Sequence, residues 1–451
     1  MSYCLGIDFG TSKIASVIMD STTRQIHDCS SIKTEAEIAT AHAGFAEQDV
    51  EKIIQTLYKA VNSLSSDLRR KATAIGVTGQ MHGVMLWNGK TTSPLYTWQD
   101  KRASATGMLE QIRKASGYER LQDGYGAVTL AWLAANEALS GWQYAATIHD
   151  YAVSRFCGLE HPVTDAADAA SWGLFNIYSG RWDNAAIKRL KIPEKFFPEV
   201  VKCGSIAGRL SAISATALGL PAGIPVTVAT GDNQAAIIAT SGDPEQELYL
   251  TIGTGAQLSA ILSRSEINSI DIPASAEIRP YTDDRFLVVA AALSGGQSML
   301  WMTSMLDSWI HDLGLPQLSR DELFKRLDKL AVQSTDHTLD FKPNFNGERH
   351  NPTLTGSIDN IRESNFTLAN VFRSLADGVL KNLAAMMPET VWQSKQCVVA
   401  NGNAVRNLAI IKQLIPVVFN MPVRILDSSE EAACGAAMMG LKNHLLFTDE
   451  L

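Results

Sequence analysis

One design occurs twice in this chain: an apolar run, a turn built on Gly-Thr, and a second apolar run. The first copy is Tyr3 to Ile7, then Asp8-Phe9-Gly10-Thr11-Ser12, then Ile14 to Met19. The second is Leu248 to Ile252, then Gly253-Thr254-Gly255, then Leu258 to Leu262. Each reads as two strands joined by a tight polar turn, because glycine and small hydroxyl residues supply turn conformations between β-type runs. A repeat this far apart implies a duplicated chain, with a boundary near Gly242-Asp243-Pro244 and domains of 1–242 and 243–451. No Pro/Ser/Gly-rich linker separates the halves, so two domains in close contact across a cleft are expected.

The intervening pattern sets the class. A helical period runs from Asp49 through Leu68, with Ile53, Ile54, Leu57, Tyr58, Val61 and Leu64 on its apolar side, and leads into a strand at Ala74 to Val77. Strand, helix, strand in this order predicts an α/β domain. Pro225 to Ala229 reads as a buried strand that stops at Thr230-Gly231-Asp232-Asn233, with a helix of small residues over 234–240. The second half offers an apolar run into Ser294-Gly295-Gly296, helices around Trp301 and over Val371 to Met387, and a strand at Cys397 to Ala400 ending in Asn401-Gly402-Asn403. A small-residue helix, Glu430 to Met439, closes the chain.

Composition excludes several partners. With 39 Lys+Arg against 47 Asp+Glu, the net charge of −8 is a poor footprint for nucleic acid. The six cysteines are scattered, with no C-x-x-C pair, so neither a zinc module nor a disulfide framework is suggested. Asp8 falls where a signal peptide needs its apolar core, and no stretch reaches the apolar length of a membrane span. A reducing, cytoplasmic setting is expected.

Several constellations could carry chemistry. The Asp8-Phe9-Gly10-Thr11-Ser12 turn offers backbone N–H groups and hydroxyls that can cradle phosphate, with the Asp8 carboxylate available to a magnesium ion. The same residues also make a plain hairpin turn, but the second copy at Gly253-Thr254 suggests a nucleotide clamped between duplicated halves. Asp232 sits where a strand gives way to a helix, a usual location for functional groups in open α/β sheets. It is equally placed to cap that helix, which is the commoner reason for an Asp there. Gly79-Gln80-Met81-His82-Gly83 and Trp98-Gln99-Asp100-Lys101-Arg102 gather the donors, acceptors and aromatic wall that a polyol needs, although a surface Asp–Arg pair and a structural histidine are the plainer readings. Two better-known nucleotide motifs fail. Gly83 to Thr91 has five residues between its glycines where a P-loop needs four, and Asn88-Gly89 reads as a hairpin turn. No G-x-G-x-x-G follows a strand, which removes the main support for a dehydrogenase.

Taken in order, Gly6-Ile7-Asp8-Phe9-Gly10-Thr11, Gly79-Gln80-Met81-His82-Gly83, Gly231-Asp232-Asn233, Thr251-Ile252-Gly253-Thr254-Gly255, Gly295-Gly296, Gly347-Glu348-Arg349 and Gly402-Asn403 resemble the FGGY carbohydrate kinases over nearly the whole chain. The resemblance implies duplicated actin-like ATPase (ribonuclease H-like) domains with a catalytic cleft between them. It implies ATP as co-substrate, Mg²⁺ near Asp8, and Asp232 as the general base. Thr11, Ser12, Gly253 and Thr254 would bind phosphates, with Gly296, Gly402 and Asn403 along the nucleotide. Gln80, Met81, His82, Trp98, Asp100 and Asn233 would line the sugar site. Three further segments, Thr97 to Arg102, Thr147-Ile148-His149-Asp150-Tyr151 and Ala169 to Asn176, resemble the branch acting on sedoheptulose, with xylulose the alternative substrate. A non-catalytic sugar-binding regulator is the alternative class, against which the retention of both Asp8 and Asp232 argues. The chain departs from the family pattern at Lys13, which stands two places early, and at Ala400-Asn401, where a glycine run is usual.

Overall fold

The computed structural model describes residues 2–426 and 430–448. Its residues group into two units. The first contains Met1–Thr240, Pro280–Asp283 and Ser429–Leu451, and the second contains Ser241–Arg279 and Asp284–Ser428.

The first unit is built on β1 (Tyr3–Phe9), β2 (Lys13–Asp20), β3 (Ile26–Lys33), α1 (Val50–Ser63) and β4 (Ala72–Gly79). It continues with α2 (Ile148–Cys157), α3 (Ala166–Ser171), β5 (Ile206–Arg209), β6 (Pro225–Thr227), β7 (Thr230–Gly231) and α4 (Asp232–Thr240). The sheet order is β5-β6-β4-β1-β2-β3, with β7 also beside β4. β1 and β2 are antiparallel, whereas β4 runs parallel to β1. Every residue of β1 is buried, as expected of a central strand covered on both faces, which is why it reads as a continuous apolar run without alternation. α1 starts where Asp49 accepts hydrogen bonds from the Glu51 and Lys52 N–H groups, and its Ile53, Ile54, Leu57 and Val61 join Ile7, Val77 and Phe156 in one core. Leu64 is extended and ends the predicted helix early, with a separate turn of helix at Ser66–Arg69. A separate core, including Val84, Tyr96, Leu130, Trp172 and Phe196, belongs to the long insertion after β4.

The second unit contains β8 (Glu247–Ile252), β9 (Ala256–Ser263), β10 (Ala276–Pro280), β11 (Arg285–Ala292), α5 (Gly296–Asp312), α6 (Leu368–Met386), β12 (Cys397–Asn401), α7 (Asn403–Asn407) and β13 (Val423–Ile425). Its sheet order is β10-β11-β9-β8-β12-β13. β8 has an antiparallel hairpin mate, β9, on one side and a parallel strand, β12, on the other. That is the arrangement of β1 between β2 and β4, so the duplicated Gly-Thr turn marks a duplicated topology.

The last helix, α8 (Glu431–Thr448), returns to the first unit. The division read from the sequence ran the second domain to residue 451. The small residues of α8 explain the return, because its backbone lies so close to β1 and β4 that a Cβ on Gly6 or Gly76 would overlap the carbonyls of Ala433 or Ala436. Cys4, Val17, Ala74, Ala433 and Ala437 form the resulting core. The expected strand at 225–229 is shorter, and a two-residue strand, β7, delivers the chain directly into α4, whose first residue is Asp232. All six cysteines are free, and among the described residues no helix is long and apolar enough to cross a membrane.

Candidate active site

The parallel neighbours β1, β4 and β7 end together in the first unit. Phe9 pairs with Gly79 and Gly231 pairs with Gly79, so the Gly10 turn, Gln80 and Asp232 all emerge from adjacent strand ends. Thr78 Oγ1 donates to the Thr230 carbonyl at 2.7 Å and fixes β7 to β4.

Asp8, one residue from the end of β1, is buried, and its Oδ1 has no hydrogen-bond partner. Burial pushes its carboxyl well above the ordinary carboxylate range; the charges of Asp232 and Glu430 add to the effect, and Lys13 opposes it. Three acidic groups therefore act on one another at this end of the sheet. Lys13 Nζ is held by both oxygens of Glu430, at 2.6 and 2.8 Å, across 417 residues of sequence. Glu430 was not identified from the sequence, where no local signal connects it to Lys13.

A closed ring of amides and hydroxyls joins the first turn to Gln80. Thr11 Oγ1 donates to Gln80 Oε1 at 3.3 Å, Gln80 Nε2 donates to Gln48 Oε1 at 3.2 Å, and Gln48 Nε2 returns to the Thr11 carbonyl at 2.7 Å. Trp98 Nε1 donates to Thr11 Oγ1 at 2.9 Å, which brings the half-exposed indole beside the turn. Gln48 is the second residue that sequence reasoning missed. Ser12 is exposed at the tip.

His82 lies in the left-handed region, at φ +72°, and stacks on Tyr125 with ring centres 4.9 Å apart. Its N–H donates to Ser171 Oγ at 3.1 Å, and its Nδ1 lies 2.8 Å from the Ser171 carbonyl, which can only accept. Met81 is buried and its sulfur packs against Gly231. Asp232 Oδ1 accepts from the Asn233 N–H at 2.7 Å, and the Asn233 Nδ2 is a buried donor with no partner. Asp100 does not face this group. Its carboxylate is buried and both oxygens are engaged, by the Ala46 and Arg102 N–H groups and by the Arg102 guanidinium. Arg102 also bonds Glu47 at 2.8 Å and lies against Tyr96, Phe45 and Trp132, so this pair organises the loop that carries Trp98.

In the second unit the corresponding turn is built from backbone. The N–H groups of Gly296 and Gln297, which open α5, donate to the Gly253 and Thr254 carbonyls at 2.9 and 3.0 Å. Thr254 itself is exposed. Gly402, between β12 and α7, has φ +100°, and a Cβ there would overlap the Ile252 carbonyl oxygen, so Asn403 leaves the end of β12 against the base of the turn. Asn403 Oδ1 accepts from Arg406 at 2.9 Å. Glu348, from the Gly-Glu-Arg motif, is buried and holds the Leu293 N–H and the Asn344 and Asn382 amides. It supports the loop before Gly295-Gly296.

Family models of FGGY carbohydrate kinases match this chain along nearly its whole length, the N-terminal domain at residues 3–239 and the C-terminal domain at 248–444. Sedoheptulokinase from Mus musculus is 32% identical and that from Homo sapiens 31% identical, each alignment covering 98% of both chains. Among solved structures, a ligand-bound xylulose kinase from Lactobacillus acidophilus has a TM-score of 0.83 at 19% identity, covering 99% of this chain and 90% of that one. Plasmodium falciparum glycerol kinase with ADP has a TM-score of 0.78 at 19% identity, again covering 99% and 90%. At such identities the structural likeness speaks for the fold.

Proposed function

The chain belongs to the FGGY family of carbohydrate kinases, and from that premise we propose that it transfers the γ-phosphoryl group of ATP to the terminal hydroxyl of sedoheptulose, giving sedoheptulose 7-phosphate. It is a sugar kinase by family; the choice of ketose is carried by the 31–32% identity to two sedoheptulokinases over 98% of both chains.

In this reading Asp232 accepts the hydroxyl proton as the sugar oxygen attacks phosphorus. Its place at the end of β7, beside the end of β4, supports the role, since sugar-side groups on Gln80, Met81 and His82 leave the adjacent strand. Asn233, with its bare buried amide, and the Trp98 indole complete the sugar side. Asp100 acts one step back, by fixing the Trp98 loop through Arg102. Thr11, Ser12, Gly253 and Thr254 would receive phosphate groups, and Gly296, Gly402 and Asn403 would run along the nucleotide. Holding the acceptor hydroxyl and the phosphate in line contributes most of the acceleration in such reactions, because little covalent chemistry falls to the protein.

The residues around Asp8 fit a divalent cation. A buried carboxylate with one unpartnered oxygen, close to two further acids, is a hard oxygen donor set with an excess of negative charge. Asp8 would hold Mg²⁺ directly or through water. When bound, the ion neutralises charge on the nucleotide phosphates.

The reading is tested with a panel of ketoses and coupled ADP detection. Mg²⁺-dependent ADP release with sedoheptulose, exceeding that with D-xylulose in kcat/KM, is the expected result. Preference for xylulose would replace the substrate, and no ketose-stimulated ADP release would overturn the activity.

A further inference from the structure

Beneath the strand ends that carry Gln80 and Asp232 lies a buried histidine that the reaction above leaves unused. His149, the second residue of α2, has no exposed surface, and its Nε2 is 2.8 Å from Asp168 Oδ2 on α3. That contact makes Nε2 the protonated nitrogen, and Nδ1 has no hydrogen-bond partner. The bare Nδ1 side of the ring is pressed on Gly79, the last residue of β4: a Cβ on Gly79 would come 2.6 Å from Nδ1 and 3.0 Å from the ring carbon Cγ.

The helix that carries Asp168 reaches the same segment from its other end through Ser171. The Asp168 carbonyl accepts from Ser171 Oγ at 2.7 Å, and Ser171 in turn accepts from the His82 N–H through Oγ and meets His82 Nδ1 through its carbonyl. Asp165 Oδ1 accepts from the Asp168 N–H at 2.8 Å and steadies the start of α3. His149 at Gly79, and Ser171, on the helix that carries Asp168, at His82, thus bracket Gly79-Gln80-Met81-His82 at both ends.

We propose that His149 and Asp168 form a positioning dyad that clamps the segment from Gly79 to His82, setting Gln80 and His82 in register with Asp232 and thereby the fit of the ketose and not of the nucleotide. This rests on Gln80 and His82 being sugar-side residues. The electrostatics agree. The charged groups facing His149 are Asp150 on its own helix, Asp165 and Asp168 on or beside α3, and Asp232 at the start of α4; burial nevertheless holds the imidazole below its ordinary pKa, against the pull of Asp150, Asp165 and Asp232. A neutral ring leaves Asp232 its full basicity, whereas a cation there would weaken it as a proton acceptor.

The competing occupant is a metal ion, because His149, Asp150 and Asp168 can each offer an atom within 4.8 Å of the others. The commitment of Nε2 to Asp168 favours the dyad, and the experiment separates the two.

The full chain is compared with its Asp168→Asn, Ser171→Ala and Asp150→Asn variants. Asp150 shares the burial of the cluster but makes no hydrogen bond to His149, and its charge would only raise the imidazole pKa, so the amide leaves the ring neutral and the clamp intact. Loss of the charged acceptor in Asp168→Asn, which weakens the buried bond from His149, should raise the ketose KM roughly tenfold, and loss of the hydroxyl bond to His82 in Ser171→Ala severalfold, with the ATP KM within about twofold. Asp150→Asn should leave both unchanged. Equal rises in both KM values, or an effect of Asp150→Asn matching that of Asp168→Asn, would overturn the dyad. Ser171→Ala removes one hydroxyl and no charge, so it tests the His82 end of the clamp by itself, and the tautomer measurement decides the dyad if Asp168→Asn does not fold. Long-range ¹⁵N–¹H spectra should show His149 as the neutral Nε2–H tautomer at pH 7; an imidazolium, an Nδ1–H tautomer, or stoichiometric zinc, manganese or calcium in the purified protein would each refute it. If no ketose is phosphorylated, the substrate reading fails, while the tautomer and metal measurements still judge the dyad.

Discussion

The two Gly-Thr turns share a topology and differ in what they hold. In the first, Gly10 to Lys13 lie beyond the last strand pair, Phe9 with Ile14; in the second only Gly253 to Gly255 lie beyond Ile252 with Ala256. Two residues before the turn glycine the first copy has Asp8, and the second has Thr251. The first turn is tied by side chains, through Gln48, Gln80 and Trp98, whereas the second is tied by backbone to the start of α5. Duplication therefore supplied two similar frames, and divergence gave one of them the acids and the other a neutral backbone cradle. In the proposed reading, charge chemistry falls to the first copy and nucleotide positioning to the second.

The largest effect should come from Asp232, which has no counterpart in the second copy's chemistry. Asp232→Asn should lower kcat by about a thousandfold, the scale of a lost general base, while ATP binding measured by calorimetry stays close to normal. Turnover near the wild-type rate would return Asp232 to a helix-starting role.

Replacing Asp8 by the residue of the second copy sharpens the comparison directly. Asp8→Thr should reduce kcat/KM for Mg-ATP by roughly a hundredfold, because metal-assisted charge stabilisation is worth several kcal/mol. The buried acid should also be costly to the fold. Its pKa is raised, so its contribution to stability is fully present below the unfolded value of 3.8 and is lost as pH rises through the raised value. Asp8→Asn should therefore melt higher than the wild type at neutral pH, with the gain shrinking on acidification towards pH 4. A melting difference independent of pH would show that Asp8 is not a strained carboxylate.

In the second copy the sensitive position is Gly402. Alanine there must adopt a positive φ and displace the Ile252 carbonyl at the foot of the turn, a strain on the order of 1–3 kcal/mol. The ATP KM should rise about tenfold and the ketose KM little, which steady-state kinetics can separate. Equal rises would mean that the two copies do not divide the substrates.

Local chemistry made much of this frame legible. Gly10-Thr11 and Gly253-Thr254 announce their hairpins because turns need those residue types, and Asp232 is visible because a strand stops just before it. The small residues of α8 signalled close packing, yet nothing local says that the partner is β1 and not the nearer β12, since that choice is set by the whole sheet. Asp100 shows what sequence alone does not reveal. Its spacing to Arg102 marks a pair that can face a polyol or its own loop, and burial engages both carboxylate oxygens with that loop. Glu430 and His149 act through neighbours far away in sequence, on Lys13 and on Gly79, and periodicity carries no record of such distances.

Gln48 gives the finest test of the difference between the turns. It lies in a two-residue strand, Glu47–Gln48, with no motif around it, and it closes the ring that joins Thr11 to Gln80. The second turn has no such dependence, since helix N–H groups hold its carbonyls. Each of the two bonds made by Gln48 is worth about 1 kcal/mol net, and Gln80 retains its main-chain bond to Phe9 when they are lost. Gln48→Ala should accordingly raise the KM for both ATP and the ketose by roughly threefold with kcat almost unchanged, because the ring links the first turn to Gln80, proposed for the phosphate and sugar sides respectively, without touching Asp232. An effect confined to ATP would mean that the ring serves the turn alone, and an effect confined to the ketose would mean that Gln80 does not depend on Thr11 for its place.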